Sequence, residues 1–482
     1  VGKERGMAGK TLFWFRQDLR VSDNPGLWQA AQKGPVLAVY IHDEEHLKDF
    51  KLGTSSRWWL HNSLTALDKS LENNLHVYKG SAQIIIMRLI KEHALDAVYF
   101  NRCYEPWRQE QDAVIKAALE KKGIECKNFN SSLLWEPSEV LKGDGTPYKV
   151  FTPFYNNGCF KAGIPGIPLP APKTISYIKD TSSFAAIAEL GLIKNKESFE
   201  GIAQQWNSGE KAAQKRLNEF IKKDFVGYSE GRNFPAKNNT SRLSPYLHFG
   251  EISPKQVWHG VNCKAVKKTI PAVDRATFLK ELAWREFSYS LLYNFPTLPR
   301  ENFNKKFNGF SWQTNSSFLE AWQQGKTGYP IVDAGMRELL QTGYMHNRVR
   351  MIVGSFLVKN LLLHWHQGED WFWDHLVDAD LANNSASWQW VAGSGADAAP
   401  YFRVFNPITQ GEKFDSNGEY TKRFVPELKK LPVKYLFKPW EAPQEVLKSA
   451  GVVLGKTYPH PMVDVSESRK RALDAYIKLS KG

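Results

Sequence analysis

The sequence runs to 482 residues, too long for one ordinary hydrophobic core, and its 42% hydrophobic and 24% charged content excludes a disordered chain. The formal net charge of +14 favours a polyanionic partner, because each Lys or Arg that meets a phosphate releases condensed counterions; a merely soluble basic protein has the same balance. Cys103, Cys126, Cys159 and Cys263 form no CxxC pair, so neither a disulfide framework nor a zinc site is expected, and a reducing, cytoplasmic compartment is.

Val1–Gly6, ahead of Met7, are set aside from the fold reading. From Lys10 to about Leu134, short apolar runs alternate with helical patterns. The runs are Thr11–Phe15, Val36–Ile41, Leu75–Gly80 and Ala97–Asn101, and the helical patterns include Ser56–Asn73 and Ala82–His93. Such alternation predicts a parallel sheet covered by helices. Phe151 to about Asp180 carries Pro153, Pro165, Pro168, Pro170 and Pro172 and reads as an irregular connector.

Beyond about Ile202 the pattern becomes helical. Phe278, Leu282, Leu291 and Leu292 fall on an apolar stripe, while Glu281, Trp284 and Ser288 share another face. Val332–Leu340, Arg348–Leu363 and Trp371–Leu376 continue the helices. The apolar stretch Met351–Trp365 is broken by Ser355, Lys359 and Asn360 and falls short of the ~20 residues a membrane span needs. His364 and His366 flank Trp365; alternate residues on a helix face apart, so no metal site is expected there or elsewhere. The expected architecture is α/β plus all-α: an α/β lobe over 7–138, a linker over 139–201 and a helical lobe over 202–482.

Chemistry concentrates between Gly328 and Asp415. Asp378, Asp380, Asn383 and Asn384, followed by Trp388 and Trp390, are unusual for a plain core, and a polar cofactor would satisfy them. A polar loop between helices with two packing tryptophans is the plainer alternative.

At these residues the chain resembles the photolyase/cryptochrome family, and within it the bacterial-type (class I) cyclobutane pyrimidine dimer photolyases. The likeness runs through Phe13–Leu27 (FWFRQDLRVSDNPGL), Thr240–Pro254 (TSRLSPYLHFGEISP), Glu281–Phe287 (ELAWREF) and Thr409–Asp415 (TQGEKFD). It implies a Rossmann-like first lobe, a C-terminal helical lobe holding FAD, and UV-damaged DNA as partner in a monomeric enzyme with no obligate protein partner. Tyr228, Thr240, Ser241, Arg242, Leu243 and Ser244 match the family's flavin-phosphate contacts. Arg350 and Asp378 match a pair beside the flavin ring, Asp380 a ring-edge contact, and Asn384 the residue facing flavin N5. An amide at that last position suits a fully reduced anionic flavin, FADH⁻, and a carboxylic acid there is the plant-cryptochrome pattern.

Trp284, Trp390 and Met351 match the walls of the lesion pocket, and Glu281 and Asn347 its polar contacts. Arg232, Arg348, Arg403 and Gln410 match DNA-contacting positions. Trp388, Trp365 and Trp312 match a chain of tryptophans that relays electrons to an oxidised flavin. The implied reaction is light-driven electron donation that splits the dimer. The alternative within the family is a blue-light receptor signalling through a partner; Asn384 and the end of the chain soon after Leu479 weigh against it. A general flavin oxidoreductase is disfavoured by the lack of a nicotinamide fingerprint. A second, antenna chromophore is implied for many relatives, but a folate is doubtful here, because Trp107 and Arg108 stand where the folate pattern has Asn and Glu.

Overall fold

The computed structural model describes residues 9–47, 49–194, 199–398 and 402–481. Five short strands form one parallel sheet in the order β3-β2-β1-β4-β5: β1 Thr11–Phe15, β2 Val36–His42, β3 Leu75–Lys79, β4 Ala97–Asn101 and β5 Glu125–Phe129. Every residue of β1, β2 and β4 is buried, as strands covered on both faces must be. In register, Trp14 lies beside Val39 on one side and Phe100 on the other. Helices α1 Pro25–Lys33, α2 Thr54–Ser70, α3 Ala82–His93 and α4 Pro106–Glu120 alternate with the strands.

The strand order reverses between β1 and β4, the place where open α/β sheets leave a crevice at their carboxyl ends. Here the segment after β1 folds into a closed polar network. The Arg16 guanidinium donates to both oxygens of Asp112, at 2.5 and 3.1 Å. Asp18 accepts from the Arg16 backbone N–H at 2.7 Å and from the Asn101 amide at 2.5 Å. Arg20 donates to the carbonyls of Gly250 and Ser131.

The chain divides into two compact units, one built from Val1–Tyr148, Thr152–Lys223 and Ser241–Pro296, the other from Lys149–Phe151, Asp224–Thr240 and Thr297–Gly482. The first unit adds to the sheet the long helix α5, Ala272–Asn294, which buries Phe278, Leu282, Leu291 and Leu292 as the apolar stripe requires. The second is helical. Pro330–Thr342, Asn347–Ser355, Trp365–His375 and Leu381–Ala392 pack around one core that includes Val349, Val353, Trp365 and Trp388. Asn347–Ser355 runs on into a π-helical turn, Phe356–Asn360. Among the described residues, no helix is long and apolar enough to cross a membrane.

Candidate functional site

Within the second unit, arginines gather at the start of the Asn347–Ser355 helix. The Arg348 guanidinium donates to Asn233 Oδ1 at 2.6 Å and lies 4.4 Å from the Phe414 ring centre. Its pKa is lowered, first by burial and then by the charges of Arg232 and Arg403. Two predicted DNA contacts, Arg232 and Arg403, thus each lie close enough to repel the third, Arg348, and such crowding is relieved by an anion. Arg232 lies over the Tyr228 ring at 5.6 Å. Arg403 is exposed, and its backbone carbonyl is held by the buried Lys359 ammonium. Burial, and next the Arg403 charge, lowers Lys359 to about 7. Gln410 is half-buried on the neighbouring helix Pro407–Phe414. Asn347 is exposed at the first helical position and Met351 is half-buried one turn on.

His346 caps this helix. Its Nδ1 accepts from the Arg348 backbone N–H at 3.2 Å, while its Nε2 is buried and has no partner among the described residues. Burial and the cations Arg350, Arg348 and Arg232 push it down to about 3, so the ring is neutral. Arg350 turns the other way, donating to both Asp378 oxygens at 3.0 and 2.9 Å and to the Met345 carbonyl at 2.8 Å.

Asp380 is the N-cap of Leu381–Ala392, accepting from the Asn383 backbone N–H at 2.9 Å, which puts Asn384 in that helix's first turn. The Asn384 amide nitrogen donates to the Glu369 carbonyl at 3.0 Å. That bond engages one of the two amide N–H groups and orients the buried amide, whose oxygen can accept from a further donor. Glu369 itself is buried, accepts from Ser385 Oγ at 2.5 Å and from Arg300 at 3.2 Å, and is raised to about 8 chiefly by burial.

Trp388, Trp365 and Trp312 all belong to or pack against the same core. Trp388 lies on Gly368, where even a Cβ would come within 2.1 Å of its ring, so the close approach requires glycine. Gly368 is one turn along the helix that Trp365 begins. The expectation that His364 and His366 face apart is corrected: their rings lie 4.4 Å apart. His364 is the N-cap rather than a helical residue, so helical spacing does not govern it. Trp390 is half-buried against the core.

The remaining predicted residues lie in the first unit, apart from Tyr228, Arg232 and Thr240. Glu281 and Trp284 stand one turn apart on α5, both half-buried, and Trp284 meets Phe287 edge-on at 5.8 Å. Arg242 has a left-handed backbone, φ 51°, and its guanidinium lies 4.2 Å from the Trp206 ring centre. The Ser241 carbonyl accepts from Arg216 at 2.9 Å. Ser244 opens a helix of only five residues, Ser244–His248, and Leu243 rather than a hydroxyl residue is its N-cap.

Residues 278–478 match the family described as the FAD binding domain of DNA photolyase, and residues 11–173 match the family described as DNA photolyase. The chain is 48% identical to a deoxyribodipyrimidine photo-lyase of Agrobacterium fabrum, across 98% of each. It is 39% identical to cryptochrome-2 of Arabidopsis thaliana, over 96% of this chain and 78% of the relative. Among solved structures, a class III photolyase from Agrobacterium tumefaciens superposes with a TM-score of 0.94 at 47% identity, covering 99% of both chains. The chain belongs to the photolyase/cryptochrome family.

For a member of that family the second unit offers fitting contacts to a flavin. A buried amide oxygen at Asn384 suits an N–H donor, and the Arg350–Asp378 pair supplies a fixed charge pattern in the same unit. At the two positions where the folate pattern has Asn and Glu, the side chains are engaged within the chain. Trp107 is buried against Phe50, with ring centres 5.1 Å apart, and the Arg108 guanidinium pairs with Glu105 at 3.6 Å. Sequence reasoning did not identify His346, Lys359, Gly368 or Glu369, each of which holds a predicted residue in place. A histidine directly ahead of a helix start was the one available signal, and it is weak.

Proposed function

We propose that this protein is a light-driven photolyase that uses fully reduced FAD to split cyclobutane pyrimidine dimers in DNA. The observation that carries the reading is the gathering of Arg232 and Arg403 about Arg348, whose pKa is lowered by burial first and then by those two charges, an arrangement suited to phosphates. Asn384 adds to it, because its oriented amide favours the reduced flavin that repair needs. Glu281, Trp284, Asn347, Met351 and Trp390 take the roles of lesion contacts, with extrusion of the damaged bases costing a few kcal/mol that aromatic walls offset. The 47% identical solved chain is a class III photolyase, and this favours class III over class I.

The test is blue-light illumination of the protein with fully reduced FAD and dimer-containing DNA, beside a dark control. Dimers should disappear only in the light. Unchanged dimer content would reject repair and leave the photoreceptor reading, which the 39% identity to a cryptochrome keeps in view.

A further inference from the structure

Serine, threonine, aspartate and asparagine are the usual helix caps, yet His364 caps Trp365–His375 with its own ring. Its Nδ1 accepts from the His366 backbone N–H at 3.2 Å. An imidazole that accepts at Nδ1 carries its proton on Nε2 and is neutral. The positive end of the helix, at which it sits, opposes a second proton.

The ring lies among indoles. Its centre is 5.1 Å from that of Trp312, edge-on at 66°, and 5.7 Å from that of Trp365, at 26°. His366 packs 4.0 Å from Trp365. The Trp312 segment is fixed alongside by a backbone bond from Gln313 N–H to the Leu362 carbonyl at 2.8 Å. Trp365 is fully buried and donates from Nε1 to Asn302 at 3.0 Å, whereas Trp312 is half-buried. Three aromatic rings therefore form an unbroken series from the core outward, and its middle member is His364.

We propose that His364 couples Trp365 to Trp312: a ring kept neutral by its own helix cap, through which a hole passes outward and which acid closes. The inference rests on reading Trp388, Trp365 and Trp312 as the relay that reduces an oxidised flavin. At each step one electron moves inward, so that Trp365 is restored as Trp312 is oxidised. Trp312 then recovers its electron from a thiol reductant in solution. Protonation of His364 at Nδ1 removes the cap acceptor and sets a positive charge against both indoles, opposing the hole on either.

The groups facing His364 bear on the acid limb. Burial lowers its pKa and Asp370, on its own helix, raises it. His366 is held down to about 4 by burial, then by His364 and Arg300. Arg300, from the segment packed against this helix, is bonded to Glu369 and Asp370. The Trp312 ring that meets His364 is itself packed against Phe310, with ring centres 4.4 Å apart.

The experiment follows flavin photoreduction in the holoprotein with a thiol reductant, together with the transient absorption of the tryptophan radical, between about pH 5 and 8. His364→Asn keeps a cap acceptor and removes the ring; it should melt near the wild-type temperature and photoreduce about tenfold or more slowly. His364→Phe keeps a ring and removes the titrating group; it should retain photoreduction and lose the acid limb. Nitrogen-15 spectra of the imidazoles should show His364 as the neutral Nε2–H tautomer at pH 7. Wild-type photoreduction in His364→Asn, or a cationic or Nδ1–H His364 at pH 7, would overturn the proposal. Trp365→Phe and Trp312→Phe separate the two failures. If they photoreduce normally, the relay itself is wrong; if they are blocked while His364→Asn is not, only the role of His364 fails.

Discussion

The buried arginines of the first unit and Arg348 of the second are treated in opposite ways, although other arginines of the second unit, such as Arg350 on Asp378, are paired as well. In the first, each buried guanidinium finds its partners in the chain: Arg16 holds both oxygens of Asp112, Arg20 is spread over backbone carbonyls, and Arg285 meets Glu286 at 3.2 Å and the Ser132 carbonyl at 2.8 Å. In the second, Arg348 feels Arg232 and Arg403, and no carboxylate contributes to its shift. A charge whose partners are internal serves the fold. One left among like charges is arranged for something the chain does not contain.

Breaking the first arrangement should have the largest effect. Arg16→Met leaves Asp112 buried without its cation, and the loss of one partner from such a pair costs about 3–5 kcal/mol. Urea unfolding of the first unit, followed by its tryptophan fluorescence, should show that loss as a midpoint moved to lower urea. Arg348→Ala should do the reverse: the fold loses one Asn233 hydrogen bond and a source of repulsion, so the unfolding midpoint should hardly move. Binding of dimer-containing DNA should instead weaken by about 1.5–3 kcal/mol, with the salt slope smaller by about 1. Should Arg348→Ala unfold as easily as Arg16→Met, the contrast between the units would be false.

Much of this organisation was legible in the sequence, for physical reasons that also mark where it stops. β1, β2 and β4 are fully buried strands, so they read as unbroken apolar runs. β5, Glu125–Phe129, was not recognised: it is an edge strand, none of its five residues is buried, and Lys127 on it is exposed, as edges that avoid pairing tend to be. The apolar stripe of α5 followed from helical spacing. The same rule failed at His364, because spacing describes residues inside a helix and a cap lies outside it. Residue type could place Asn384 near a cofactor but could not orient its amide. That orientation depends on the carbonyl of Glu369, fifteen residues away in sequence.

A further effect concerns a carboxyl that breaks the pattern of paired charges in the first unit. Glu251 is fully buried and meets no cation among the described residues; it accepts from Trp59 Nε1 at 3.1 Å and from the Gly209 backbone N–H at 2.5 Å. Burial raises it to about 8, with those hydrogen bonds pulling the other way. An unfolded glutamate titrates near ~4.3, so between there and about pH 8 the folded chain holds a proton that the unfolded chain has lost. The stability this confers is fully present below the unfolded value and is lost as the pH rises through about 8. Glu251→Gln, which imitates the protonated form, should therefore unfold at a midpoint that falls less between about pH 5 and 8 than that of the parent. Parallel profiles would mean that the donors around Glu251 stabilise a carboxylate, and that the first unit buries one negative charge without a cation.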